Sequence, residues 1–287
     1  MKGFAMNERT PLIIMAAGKG SRMKASADVP EWVLEEAASR PKAMIRIGQD
    51  RKPLLQHLVE RAKEEGLRDI CIVVGEHDEI TRPHFEALKL EGIDLSFVVQ
   101  AIPEGRTKPA GTAQAVQLAL ETHPDWAGVS VTVANGDNLP PSGMFRAMLA
   151  TPACLPAFDR DHLGLPVERV QAFAVISRNP RGGVSRIDEK PDEATIQSAT
   201  WSDGTVRVSM NYFRVPYGAL LEAVQTAPEH PVRKEKELPV ALSNWSASQP
   251  EGLQVIPMAG TFLDLTHPQD ILLAEERRLN QGSVALK

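Results

Sequence analysis

Between residues 12 and 24 the chain reads Leu-Ile-Ile-Met-Ala-Ala-Gly-Lys-Gly-Ser-Arg-Met-Lys, an apolar run that empties into two glycines with Lys19, Arg22 and Lys24 interleaved. The run has the length and composition of a buried strand, and the glycines break it abruptly. A strand that opens into a Gly-rich turn exposes several backbone N–H groups at one point, and such a nest of amides binds anions. Three cations beside the nest point to a ligand with more than one negative charge, a polyphosphate. Two familiar phosphate motifs fail here. A P-loop needs Gly-Lys-[Ser/Thr] after its spacer, but Lys19 lies between Gly18 and Gly20, and Gly20 is followed by Ser21. A dinucleotide fingerprint needs a third Gly or Ala at position 23, which is Met.

The elements that must hold this loop follow the pattern of a parallel sheet covered by helices. Strands are expected at Pro11–Ala17, Asp69–Gly75, Asp94–Gln100 and Val129–Ala134. Between them, Pro53–Glu65 places Leu54, Leu55, Leu58, Val59 and Ala62 on one helical face, with Gly66 as its stop. A second helix opens at Gly111-Thr112 and buries Ala113, Val116 and Leu120, and a weaker one covers Asp78–Leu90. After about residue 150, short strands (Val170–Ile176, Val184–Asp188, Val206–Val215) are separated by Pro, Gly and Asn, which suits a mixed or antiparallel sheet with long loops. Gly252–Met258 reads as a strand and His267–Leu279 as a closing helix with Pro268 near its start.

Composition narrows the function class. A chain of 287 residues has ample volume for a core. Its net charge of −5 gives no reason to propose nucleic-acid or anionic-membrane binding, so the cations near residue 20 stand out. The first apolar run is too short to span a bilayer and no signal-peptide h-region precedes it. Cys71, in a strand-like run, and Cys154, in a loop-like one, read as free thiols of a reducing compartment, so a cytoplasmic location is expected. The seven histidines are scattered, without metal-ligand spacing, and no Gly-x-Ser-x-Gly elbow occurs, which argues against zinc sites and hydrolytic triads.

The form Ala16-Ala17-Gly18-x-Gly20-x-Arg22, with Pro41-Lys42 further on, resembles the signature loop of the sugar-1-phosphate nucleotidyltransferases, also called nucleoside-diphosphate-sugar pyrophosphorylases. Further fragments follow in that family's order: Gln100 and Gly111-Thr112-Ala113, then Asn135-Gly136-Asp137, Glu189-Lys190-Pro191, and Gly260-Thr-Phe-Leu-Asp264 leading through Thr266-His-Pro-Gln-Asp270. The resemblance covers roughly residues 11–275. It implies an α/β fold of the nucleotide-diphospho-sugar transferase type: a Rossmann-like, mostly parallel but mixed sheet flanked by helices. Residues 9–150 would form the nucleotide-binding half, and residues 151–287 the smaller sugar-phosphate-binding half of the same domain.

The resemblance also distributes roles. Asp137 ends a parallel strand, at the edge where open α/β sheets bind ligands. Asn-Gly-Asp read alone is a turn; within the family pattern, Asp137 and Asp264 hold the catalytic metal. Mg²⁺ takes one or two carboxylates plus substrate phosphates, and is the expected cofactor. Arg22 and Lys42 bind the nucleotide's phosphates, together with Ala16, Ala17, Gly18, Gly20 and Ser21. Glu189 and Asn211 face sugar hydroxyls, Lys190 the phosphate of the sugar 1-phosphate, and Asn135 the same substrate. Pro191 is expected to hold Lys190 in an extended backbone. The Gln100 amide offers a donor and an acceptor to the O4 and N3–H edge of uracil or thymine, which favours UTP or dTTP, with Gly111 and Thr112 beside the base.

Two stretches depart from the family pattern. Twenty positions separate Arg22 from Lys42 where relatives need far fewer, and the excess, residues 25–40, carries a helical pattern with Pro30 at its start. A helical insertion beside the triphosphate site is expected, as a lid or as passive surface. Val208-Ser-Met-Asn-Tyr-Phe213 stands where relatives often have Asn-x-Gly-Ile-Tyr, so the sugar pocket is reshaped. The closing helix lies near the end of the sequence, so no repeat-built acyltransferase domain is expected. The implied activity joins a sugar 1-phosphate to a nucleoside triphosphate with release of pyrophosphate; catalysis is by positioning and electrostatics, without a protein nucleophile. Two alternatives stand beside it: a cytidylyltransferase for a non-sugar phosphate such as phosphocholine, and a catalytically silent nucleotide-sugar sensor or regulatory subunit. The partners are then small molecules, with neither nucleic acid nor membrane, and a homo-oligomer is left open.

Overall fold

The computed structural model describes residues 9–18, 20, 23, 28–276 and 285–286. The first apolar run forms β1 (Pro11–Met15), whose alternation sends Leu12 and Ile14 into one core and Ile13 into another on the opposite face of the sheet. There follow α1 (Glu31–Ser39), a small ribbon of β2 (Arg46–Ile47) and β3 (Lys52–Pro53), and α2 (Leu54–Glu64). Then come β4 (Asp69–Gly75), α3 (Thr81–Leu88), β5 (Asp94–Gln100), α4 (Thr112–Thr122) and β6 (Ser130–Asn135).

These strands are parallel, in the order β5-β4-β1-β6. The chain lays β4 and β5 to one side of β1, then crosses over and places β6 on the other. Between β1 and β6 the order reverses, and the loops at their carboxyl ends part to leave a crevice. β4 and β5 form over the residues expected of them. The α3 helix begins three residues later than expected, because Asp78 Oδ1 accepts from Ile80 N and Thr81 N, both at 2.9 Å. At the end of α2, Gly66 (φ 106°) takes the left-handed turn, and Leu67 N reaches Ala62 O at 2.9 Å.

The second half continues the same sheet. It supplies β7 (Asn138–Leu139), α5 (Met144–Leu149), β8 (Cys154–Asp159), α6 (Val167–Val170), β9 (Val175–Arg178) and β10 (Val184–Asp188). Next are α7 (Glu193–Ala199), β11 (Arg207–Ser209), β12 (Phe213–Pro216), α8 (Tyr217–Gln225) and α9 (Leu238–Ser248). The remainder is β13 (Gln254–Ala259), β14 (Leu263–Asp264), α10 (Gln269–Glu276) and β15 (Ala285–Leu286). Beyond β6 the sheet runs β12-β8-β11-β9-β10 with antiparallel pairing, and β13 joins β8 in parallel.

Three sequence-based expectations are corrected here. Cys154 begins β8, buried in the middle of the sheet; the flanking Pro152 and Pro156 disguise a strand as a loop. Both cysteines are free and buried, and burial pushes their thiols up to about 11 (Cys71) and about 12 (Cys154). The strand expected at 170–176 starts only at Val175, because Pro166 opens the helical turn of α6 instead. The run 206–215 is two strands: Asn211 adopts φ 60° and turns the chain between β11 and β12, which flank β8 on opposite sides.

The expected helical insertion forms as α1. Its Glu36 is 4% exposed and carries three arginines: Arg46, in a forked contact reaching 2.6 Å, Arg40 at 3.0 Å and Arg51 at 3.6 Å. Arg51 also pairs with Glu275 of α10 at 3.1 Å and lies over the Trp32 ring at 5.0 Å. Anchored in this way, α1 is held against the β2–β3 ribbon and α10. Burial raises the Glu36 carboxyl, but the hydrogen bonds and charge of Arg46 outweigh it and leave it below the ordinary glutamate range. The contribution of Glu36 to stability is therefore complete above about pH 4.3 and fades as pH falls through the lowered value. We expect Glu36→Gln to cost about 2 kcal/mol in urea denaturation at neutral pH, with the two proteins converging in acid.

Candidate active site

The ends of β1, β6 and β14 carry the centre of the site. Residues 16–18 and Gly20 follow β1. Gly20 has φ 59°, and a Cβ placed on it would lie 3.0 Å from Lys42 Cβ, so this turn packs directly on the lysine side chain. Lys42 sits in a single 3-10 turn (Lys42–Met44) entered through Pro41, and its Nζ donates to Asp137 Oδ2 at 2.7 Å. Asn135-Gly136-Asp137 leaves β6, held by Gly136 N donating to Met15 O at 2.9 Å. Any side chain at Gly136 would crowd that carbonyl, its Cβ lying 3.1 Å away.

Asp264 comes from far along the chain. β14 pairs antiparallel with β7, which sets Asp264 opposite Asn138, and Leu265 N donates to Asp137 O at 3.2 Å. Beneath, the buried Tyr212 hydroxyl donates to Asn138 Oδ1 at 2.7 Å and fixes the ribbon. The structure thus brings the two predicted metal carboxylates into one crevice. Burial raises the Asp264 carboxyl first and the nearby Asp137 charge raises it further; Arg169 and Lys42 oppose both effects. Arg169 Nη2 donates to Asp264 Oδ2 and, at 2.8 Å, to its backbone oxygen, while Nη1 donates to Asp270 Oδ1 at 2.6 Å.

Two cavities meet at this point. The first, of about 470 Å³, is lined by Ala16, Ala17, Gly18, Gly20, Gln100, Gly111 and Thr112 among others. The second, of about 820 Å³, is lined by Lys190, Asp264, Arg169 and Thr266 among others. Lys42, Asn135, Asp137, Glu189 and Asn211 line both. Every predicted site residue among the described ones therefore faces one crevice. Ser21 and Arg22, like Lys19 and Lys24, lie outside the described residues. No residue of α1 lines either cavity.

Some roles change in detail. Gln100 is 3% exposed and its Nε2 donates to Gly111 O and Gln114 Oε1, both at 2.9 Å, so its donor is already engaged and Oε1 remains as acceptor. Gly111 (φ 108°) is needed for a closer neighbour than a base: a Cβ there would lie 2.3 Å from Lys236 O. The segment from Lys236 to Pro239 closes the first cavity, stapled by Lys236 N to Ala110 O at 2.7 Å and Leu238 N to Thr112 Oγ1 at 2.9 Å. Lys190 is not extended as Pro191 suggested; its φ is 49°. With Asn211 it makes two non-glycine residues in the left-handed region on one cavity wall, where strain of this kind gathers at functional sites. Asn211 Oδ1 is buried without a hydrogen-bond partner among the described residues. Glu189, open to the crevice, has its carboxyl raised by partial desolvation and then by the charge of Glu237.

Sequence reading missed Arg169, Lys108 and the 236–239 wall. Arg169 belongs to a stretch without periodicity, and its significance comes only from a contact across 95 positions. Among the described residues no group of three or more His, Cys, Asp or Glu side chains forms a metal cage, and no helix is long and apolar enough to cross a membrane. We expect Gly111→Ala to drive the 236–239 segment away from α4, costing about 2–3 kcal/mol in denaturant unfolding.

The family model described as nucleotidyl transferase matches residues 12–242. The bifunctional protein GlmU of Methanococcus maripaludis is 25% identical over 269 residues, covering 94% of this chain and 54% of that protein. The low-salt glycan biosynthesis nucleotidyltransferase Agl11 of Haloferax volcanii is 24% identical, over 63% of this chain and 44% of its own length. The chain spans about half the length of these curated relatives. Among solved structures, UDP-glucose pyrophosphorylase complexed with UDP-glucose superposes with a TM-score of 0.65 at 18% identity, covering 93% of this chain and 97% of that one. HddC from Yersinia pseudotuberculosis gives 0.60 at 16% identity, covering 92% and 97%. Both structural likenesses speak for the same fold, a mixed sheet flanked by helices.

Proposed function

The chain belongs to the nucleotidyl transferase family, the sugar-1-phosphate nucleotidyltransferases that its glycine loop resembles, and on that premise we propose that it makes a nucleotide sugar from a sugar 1-phosphate and UTP or dTTP. One observation carries the reading: Lys42 and Asp137 line both cavities, so a triphosphate in the first and a phosphate monoester in the second would meet at these side chains. The reaction is in-line attack by an oxygen of the sugar phosphate on the α-phosphorus, with pyrophosphate leaving.

The residues divide the work. The backbone amides of Gly18 and Gly20 and the Lys42 ammonium hold the triphosphate, and resemblance gives Arg22 the same task. Lys190 faces the acceptor's phosphate, and Glu189, Asn135 and Asn211 receive the sugar. Gln100 keeps Oε1 as an acceptor, which suits the N3–H of uracil or thymine and opposes the lone pair at N3 of cytosine. A divalent cation fits the residues present: Asp137 and Asp264 are hard-oxygen donors on adjoining backbone, and their mutual repulsion is relieved by positive charge. Mg²⁺ held there supplies charge that offsets the negative charge of the phosphates.

Pyrophosphate release, measured over a panel of triphosphates and acceptor phosphates, tests base, acceptor and activity together. Turnover is expected with UTP or dTTP and a sugar 1-phosphate; turnover only with CTP and a non-sugar phosphate would replace this reading. Asp137→Asn should lower the wild-type rate by more than about 100-fold without changing the fold. A protein that binds nucleotide sugars with no turnover on the whole panel would be a sensor.

A further inference from the structure

Asp264 does not stand alone in the crevice. Its Oδ2 is occupied by Arg169 and also accepts from Thr266 Oγ1 at 3.0 Å, whereas Oδ1 carries no hydrogen bond among the described residues. Asp137 repeats the pattern, with Oδ2 on Lys42 and Oδ1 without such a bond. Each carboxylate therefore has one oxygen tied back to a cation and the other left over.

The Arg169 end of this arrangement is rigid. The side chain is 14% exposed, and its fork spans two carboxylates, Asp264 and Asp270. Asp270 is itself pinned: Oδ2 accepts from Thr266 N at 2.6 Å and His267 N at 2.7 Å, at the entry to α10. Arg169 comes from α6, which together with Phe173 and Ala174 walls the second cavity. A guanidinium locked on both sides cannot easily swing away, and its planar fork fixes the plane of the carboxylate it holds.

We propose that Arg169 is a positioning residue for the divalent cation: it clamps Asp264 Oδ2 through an Asp270-anchored fork, so that Oδ1 alone is presented across the crevice toward Asp137. The inference deepens the reading above and rests on its cation site. Groups that orient a metal's carboxylate ligands typically change affinity by about 10–100-fold when removed. The clamp also ties the cation's geometry to the wall of the acceptor cavity, since one side chain belongs to both.

The test is a Mn²⁺ titration of the full chain, followed by electron paramagnetic resonance without nucleotide or acceptor, alongside thermal melting. Arg169→Met should lower the melting temperature and, in protein that remains folded, weaken Mn²⁺ binding about 10–100-fold. Arg169→Lys keeps the charge, loses the fork and should recover only part of the affinity. Unchanged or tighter Mn²⁺ binding in Arg169→Met overturns the proposal, because a guanidinium that merely competed for Asp264 would give tighter binding. If Arg169→Met does not fold, Asp270→Asn decides. It loosens the fork's anchor and leaves both candidate ligands, and weaker Mn²⁺ binding supports the clamp while unchanged binding overturns it. Wild-type protein that binds no Mn²⁺ at all would instead remove the cation site, a distinct outcome.

Discussion

Two like charges forced together are the constraint around which this molecule is organised. The short β7–β14 ribbon puts Asp264 beside the turn that carries Asp137, in a place where Asp264 is 9% exposed. Burying neighbouring carboxylates is unfavourable unless positive charge compensates them. Lys42 and Arg169 supply part of it, but Asp270 shares Arg169, so among the described residues these three carboxylates pair with two cations. Under the proposed function, a divalent cation would balance this cluster and the phosphates beside it.

The sheet makes that juxtaposition possible. The parallel half ends in a switch point, which provides exposed backbone N–H groups and the Asn135–Asp137 turn without any special side chain. The antiparallel half provides a wall with reshaped backbone, and both left-handed non-glycine residues of the second cavity, Lys190 and Asn211, lie there. Strain at each costs on the order of 1–3 kcal/mol, which the surrounding strands β10, β11 and β12 must over-determine. The Met210-Asn211 pair, standing where relatives often have glycine, is thus the point at which the acceptor side departs from the family pattern.

Legibility in the sequence followed the range of the forces involved. β4, β5 and β10 were readable because each is a short apolar or alternating run with turn residues at its ends, and α2 because its periodicity stops at a glycine in the left-handed region. α9 was not, since Leu238–Ser248 buries residues on several sides and shows little helical periodicity. Cys154 misled because Pro152 precedes and Pro156 interrupts a strand that lies centrally in the sheet. The glycine turn was legible from its own chemistry. Asp264 could be singled out only through family pattern, and Arg169 not at all, because its value lies in a contact no local rule describes.

Both cavities draw on both sides of residue 150. The first is closed by Leu238 and Pro239 from the second half, and the second is edged by Lys42 and Asp137 from the first. Lys236 is stitched to the α4 entrance by main-chain bonds, and Gly111 leaves no space for these segments to slide. A hinge that separated the halves as rigid bodies would have to break this stitching and the β12–β6 ladder together. Substrate selection must therefore come from preformed walls and loop adjustments. Under the proposed function, base choice would fall to the fixed Gln100–Gly111–Gln114 triplet, and acceptor choice to the strained backbone around Lys190 and Asn211.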